Sequence, residues 1–225
     1  IAITMFESLY TTRLILNSLG ASDFGIYNIV GGVISMLGFL NAAMAASTQR
    51  VMNLAEGEGN NEKKVVIFNV SIVLHVLVAA IVGVMLLIAG VLFFNGILNI
   101  PDARIFAAKI VYASLIISTM VTILTVPYDA VLNSHENMKY YSIVGVFESL
   151  LKLTVAFACV YTSEDKLIVY GLLMAAIPFV SLFIMAIYCH KRYSECCYRI
   201  RKNWDKKIAK DMTGFAGWGF LGSTS

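Results

Sequence analysis

Residues 66–95 read VIFNVSIVLHVLVAAIVGVMLLIAGVLFFN, thirty residues without a single Lys, Arg, Asp or Glu. A bilayer core about 30 Å thick is crossed by roughly 20 apolar residues in a helix. This stretch therefore reads as a membrane-spanning helix, and the rest of the chain repeats the pattern. Apolar runs of similar length lie at 1–19, 25–49, 105–132, 141–162 and 167–189, and a further run begins near Thr213. The expected fold is all-α: a polytopic membrane protein with a bundle of about six transmembrane helices. The expected organisation is a six-helix lobe over 1–189, a cytoplasmic amphipathic linker over 190–212, and the start of a seventh helix over 213–225.

Composition agrees. Of 225 residues 59% are hydrophobic and only 14% charged, against about 25% charged in ordinary soluble domains, and the mean hydropathy is +0.78. One soluble core could not absorb that much apolar surface. Ile1 is not Met, and Ile1 and Ser225 both fall within apolar runs, so neither is expected to be a natural terminus. No basic leader followed by a small-residue cleavage site is visible.

The breaks between the runs carry turn and cap residues. Gly20-Ala21-Ser22-Asp23 is a tight link whose Ser or Asp can cap the next helix. Glu56 to Asn61, Asn133 to Lys139 and Ser163 to Lys166 are short polar loops, and Asn99-Ile100-Pro101-Asp102 places Pro for a helix start. Lys and Arg are distributed unevenly among these breaks. The loops near 50–64, 134–140 and 190–212 hold twelve of the seventeen cations, and the loops near 20–24, 95–104 and 163–166 hold only Arg104 and Lys166, with Lys109 just inside the following helix. By the positive-inside rule the first set is cytoplasmic. The richest segment, 190–212, mixes those cations with Tyr198, Trp204, Ile208 and Met212 at roughly helical spacing, which predicts an amphipathic helix on the cytoplasmic membrane surface. A nucleic-acid partner does not fit a chain this apolar.

Ionisable groups inside a bilayer cost at least about 2.5–3.5 kcal/mol near its centre, so each one within a span asks for an explanation. Helix one carries Glu7, Arg13 and Asn17. Arg13 and Asn17 share a face, whereas Glu7 and Arg13 point in different directions. Arg13 either faces a cavity or snorkels to the outer surface. Helix five carries Glu148 four residues before Lys152, the favoured order for an intrahelical pair. They either neutralise each other or present a charge to a cavity. Helix four ends in Pro127-Tyr128-Asp129, a kink signal beside an interfacial acid or gate. His75 reads as a packing histidine or a proton site. Helix two carries small-residue faces, Gly31-x-x-x-Ser35 and Gly38-x-x-x-Ala42-x-x-x-Ala46, that admit a close neighbour. Asn28 and Asn41 read equally as cavity-lining or helix-bridging.

Cys189, Cys196 and Cys197 lie near His190, but without a spaced CxxC pair no metal site is expected. No P-loop, GxSxG, HExxH or Rossmann glycine pattern is present. No cofactor is expected, and the chain does not read as an enzyme. A membrane-embedded transferase would have only His135 and Glu136 to work with, and loop solvation explains that pair more simply.

Several motifs do carry a likeness. Leu19-Gly20-Ala21-Ser22-Asp23-Phe24-Gly25-Ile26-Tyr27, with Tyr10-Thr11-Thr12-Arg13 before it and Gly31-Gly32 after it, resembles the first-loop region of bacterial O-antigen and capsular polysaccharide flippases. These belong to the MOP exporter superfamily, which includes the MATE exporters. Ala46-Ser47-Thr48-Gln49-Arg50 and Val126-Pro127-Tyr128-Asp129-Ala130 strengthen the resemblance. It implies a two-lobe transporter of the bacterial inner membrane, with a second transmembrane lobe following this one. The cargo it implies is a polyprenyl-pyrophosphate-linked oligosaccharide, flipped by alternating access, with coupling to H+ or Na+ as is common in that superfamily. In that frame Arg13, Asn17, Arg50 and Lys152 are the substrate-binding candidates, and Glu7, Asp129 and Glu148 the coupling or gating candidates. A MATE-type cation or drug antiporter and a transferase or scaffold of polysaccharide synthesis are the rival readings.

Overall fold

The computed structural model describes residues 2–35, 38–97, 100–198 and 205–223, without the side chains of 2–9, 39–40, 96–97 and 218–223. Glu7, a coupling candidate, and Trp204 of the basic segment therefore lie outside the described side chains. Among the described residues every regular element is helical. The seven α-helices are α1 (Ala2–Ser35), α2 (Gly38–Gly57), α3 (Asn61–Leu92), α4 (Ile105–Ser134), α5 (Met138–Tyr161), α6 (Lys166–Arg192) and α7 (Lys206–Ser223). A π turn, Phe93–Ile97, extends α3, and a single 3-10 turn, Asp102–Arg104, leads into α4.

Side chains from the polar breaks start several helices as the sequence leads one to expect. Asn60 accepts from the Lys63 amide at 2.9 Å, Asn137 from the Tyr140 amide at 3.3 Å and Asp165 from the Leu167 amide at 3.1 Å. Each satisfies a first-turn N–H that has no intrahelical partner.

Two boundaries differ from the sequence reading. The expected break at 20–23 is a kink within α1, made by Gly20 alone at φ 82°, ψ 164°. That region of backbone space is essentially reserved for glycine, and Ser22 and Asp23 belong to the helical stretch beyond it. The expected second span, 25–49, is divided between α1 and α2. The basic segment is also not one surface helix. α6 runs to Arg192, residues 193–198 are non-helical, and α7 begins at Lys206 rather than near 213. Asp205 sets that start by accepting from the amides of Lys207 at 2.7 Å and Ile208 at 3.4 Å. The apolar residues of 205–217 face protein: Met212 and Ala216 are buried with Met44 on α2 and Val70 and Leu74 on α3.

α4 is the central helix, packing against α1, α2, α3, α5 and α6. Its first half meets Ile26 and Val30 of α1 and Val82 and Leu86 of α3. Its last turns meet Phe68 of α3, Met52 of α2 and Met185 and Cys189 of α6. The helix continues through Pro127 to Ser134. The approach of α3 to α4 depends on Gly90, where a Cβ would stand 2.3 Å from a ring carbon of Tyr112. Tyr112 is itself fixed by donating its hydroxyl to the Leu86 carbonyl at 2.6 Å. Gly90→Ala is therefore expected to destabilise the fold by about 1–3 kcal/mol through overpacking, measured as unfolding in detergent, with Gly145→Ala, which meets open space, as the control.

The outer faces are apolar. Leu87, Ile88, Val91 and Leu92 on α3 and Ile143 and Leu150 on α5 are all more than half exposed. Such a surface is unstable in water and stable in lipid. Among the described residues, α3 with its π turn, the 3-10 turn with α4, α5, and α6 are the four helices long and apolar enough to cross a membrane. α1 and α2 are more polar, with Arg13, Asn17 and Asp23 on one and Ser47 to Arg50 on the other.

Candidate functional site

A cavity of about 300 Å³ opens between α1, α4, α5 and α6. Ser118, Thr122 and Thr125 line it from α4, Glu148 and Lys152 from α5, and Ser181 from α6, with Tyr27 of α1 completing the wall. Helical repeat explains the set: 118, 122 and 125 are spaced four and three apart, as are 148 and 152, so each group falls on one face. Thr122 and Thr125 donate to the carbonyls of Ser118 and Thr122 in their own helix. Ser181 is buried, and its hydroxyl has no partner among the described residues. A buried hydroxyl left open in this way is satisfied by water or by cargo.

Glu148 and Lys152 both face this space, yet among the described residues they form no ion pair with each other. Asp129, one turn beyond Thr125 on α4, and Tyr141 on α5 lie within electrostatic reach of the Glu148 carboxylate. The structure thus brings Lys152 and Glu148 to one cavity wall, with Asp129 within electrostatic reach of Glu148. Arg13 and Asn17 lie apart from the cavity wall, on α1, which packs along α5. Both are exposed, together with Tyr10 and Gly20. Those positions recur every three or four residues, so they form one polar stripe on the outside of the bundle. Arg50 is elsewhere. It stacks over the Phe215 ring at 4.3 Å, where α2 meets α7, and Ser47 beside it donates to the Met212 carbonyl at 2.7 Å. Its position is that of a residue securing α7.

The lone polar groups also resolve. His75 is buried, with Nδ1 2.8 Å from the Ser71 carbonyl and Nε2 without a partner. Asn28 donates to the Phe24 carbonyl of its own helix at 3.0 Å and bridges nothing through that bond. Asn41 has a buried carbonyl oxygen without a partner.

Ionic clusters close each end of the bundle. At one end Arg104, leading into α4, reaches Asp23 of α1 at 2.7 Å and Asp165, the cap of α6, at 2.6 Å. At the other, Lys64 of α3 meets Glu56 of α2 at 2.6 Å, Glu56 lies 3.5 Å from His135 Nδ1, and His135 Nε2 bonds Glu195. His135 also stacks on Tyr193, ring centroids 4.3 Å apart. The loop neighbour Glu136, which sequence reading paired with His135, is exposed with a positive φ of 53°; the carboxylates that meet the imidazole come from far along the chain. Glu56, His135 and Glu195 place potential ligand atoms within 4.8 Å of one another. However, the two ring nitrogens face different carboxylates and Lys64 holds one of them. Both ring nitrogens and one of the carboxylates are thus already engaged within the protein.

The two ends therefore sort the loops as the Lys and Arg count does: 23, 104 and 165 at one end, and 56, 64, 135 and 195 at the other. The stripe of Ser118, Thr122 and Thr125 is the part of the cavity that sequence reading missed. Its signal was a hydroxyl recurring at helical spacing in an apolar run. No family model, curated protein or solved structure matches this chain.

Proposed function

We propose that this chain is a six-helix lobe of a two-lobe membrane transporter, with α1 and α2 supplying the spans beyond the four most apolar helices. The observation that carries the reading is the polar face of α1 and α5. Arg13, Asn17, Glu148 and Lys152 lie on an otherwise apolar bundle, either exposed or lining the cavity. Charges are not stable against lipid, so this side of the bundle meets a second lobe across a water-filled cleft. The motif resemblance supplies the cargo, a polyprenyl-pyrophosphate-linked oligosaccharide, and the bacterial inner membrane as its place. Arg13 and Lys152 suit a pyrophosphate. The adjacent acids Asp129 and Glu148 favour a second reading, a cation antiporter of the MATE type.

The test is polysaccharide export by the gene that encodes this chain. Arg13→Ala and Lys152→Ala are each expected to reduce export about ten- to a hundredfold, the worth of a charge-assisted hydrogen bond, at unchanged protein level by immunoblot. Undiminished export in both variants would sink the pyrophosphate contact. Loss of cation-driven drug efflux on Asp129→Asn, with export intact, would favour the antiporter.

A further inference from the structure

The outer face of α6, turned away from the cavity, carries a second arrangement. Two grooves run along it near its cationic end. One, of about 440 Å³, lies against α5 and is lined by Tyr140, Phe183, Ile184, Ile187 and Tyr188, with Lys191 and Arg192 at its end. The other, of about 410 Å³, lies toward α3 and α4 and is lined by Val76, Leu124, Phe179, Leu182 and Phe183 among others. Phe183 is the ridge between them and is 66% exposed. Phe183, Ile187 and Lys191 are four apart, so the ridge leads straight to a cation. The floor of the first groove is rigid: Tyr140 and Tyr188 stack with centroids 3.6 Å apart, and the Tyr140 hydroxyl donates to the Ile184 carbonyl at 3.2 Å.

The geometry points to a binding site for one anionic diacyl phospholipid, its two chains lying on either side of Phe183 and its phosphate at Lys191 and Arg192. Charge identifies the occupant. Neither cation has a carboxylate partner among the described residues, and the nearby Glu195 is bonded to His135. The C-terminal dipole of α6, roughly half a negative charge, offsets only part of the two cations. An apolar groove that ends at uncompensated positive charge, with a second apolar groove across Phe183 from it, matches a diacyl lipid with net negative charge. A zwitterionic lipid would bring its own cation to the same place. Basic pockets at the cytoplasmic ends of membrane helices bind such headgroups on these grounds. The site needs α6 to span the membrane and is independent of the cargo proposed above.

Binding of phosphatidylglycerol and of phosphatidylcholine to the delipidated chain in a mild maltoside detergent, followed by native mass spectrometry, tests the assignment. Phosphatidylglycerol is expected to bind at least tenfold more tightly. K191Q/R192Q is expected to weaken it about 30-fold and K191R/R192K to restore it, while Lys166→Gln at the far end of α6 has no effect. Glycerol 3-phosphate, which has the headgroup charge without the chains, should not compete. Equal binding of the two lipids by the unsubstituted protein overturns the assignment, however the variants fold. Phosphatidylglycerol binding unchanged in K191Q/R192Q, or displacement by glycerol 3-phosphate, overturns it as well.

Discussion

Replacing His135 by alanine is expected to lower the stability of the protein by about 3 kcal/mol or more. The Glu195 side chain is only 5% exposed, and its carboxylate is held by the His135 ring. Removing one member of a buried pair leaves the other charged, desolvated and alone, which costs about 3–5 kcal/mol. The pair also joins distant parts of the chain, the end of α4 and the segment between α6 and α7. Its loss should therefore loosen that segment first, seen as faster proteolysis near 193–205. The second substitution in the cycle separates pairing from packing. Glu195→Gln in the His135→Ala background removes the stranded charge and should recover most of the loss. Unfolding in detergent followed by circular dichroism measures both, and a His135→Ala penalty below about 1 kcal/mol would show that water already reaches Glu195.

Arg104→Ala should act at the opposite end, with a loss of about 2 kcal/mol, smaller because the Arg104 side chain is 37% exposed and solvent screens it. The two guanidinium nitrogens go to different carboxylates, Nη2 to Asp23 and Nη1 to Asp165. Asp23 is only 8% exposed and depends on this contact, whereas Asp165, 33% exposed, also caps α6. Arg104→Lys is the discriminating variant. A single ammonium cannot reproduce the fork that spans both acids, so it should recover no more than half of the loss. Full recovery by lysine would mean that net positive charge, and not the bridge, holds α1, α4 and α6 together.

What the sequence revealed and what it concealed divide along chain distance. Residues 66–95 could be read as a helix because nothing polar but Asn69, Ser71, His75 and Asn95 interrupts them. The alternation of basic and non-basic loops sorted the two ends of the bundle. The polar breaks that hold the caps Asn60, Asn137 and Asp165 were visible as well, although the caps singled out in the sequence, Ser22 and Asp23, lie within α1. By contrast, Asp23 and Arg104 are 81 residues apart, and His135 and Glu195 are 60 apart. No spacing rule connects such pairs, so the sequence shows only Glu136 beside the imidazole, a pair that loop solvation explains. The same reason separates the site candidates. Glu148 and Lys152 share a helical face and reach the cavity together, whereas Asp129 comes within electrostatic reach of Glu148 only because α4 packs there. Arg50 has the same charge as Lys152 but serves α7, because Phe215 lies under it. The start of α7 was hidden for a different reason: Lys206, Lys207 and Lys210 look like linker, yet the Asp205 cap and the buried Met212 make them the first turns of a packed helix.

The position of α4 at the centre of the bundle has a consequence for how the protein is made. α1 packs mainly on α4, α5 and α6, so its partners are synthesised only after α2 and α3. α1, with Arg13 and Asn17 on its surface, must wait in the translocon or beside it until Ser134, and then Tyr161 and Arg192, have emerged. Long-range pairing of this kind makes assembly slow and leaves intermediates exposed. An arrest of translation before α4 would leave α1 without the helices it packs on.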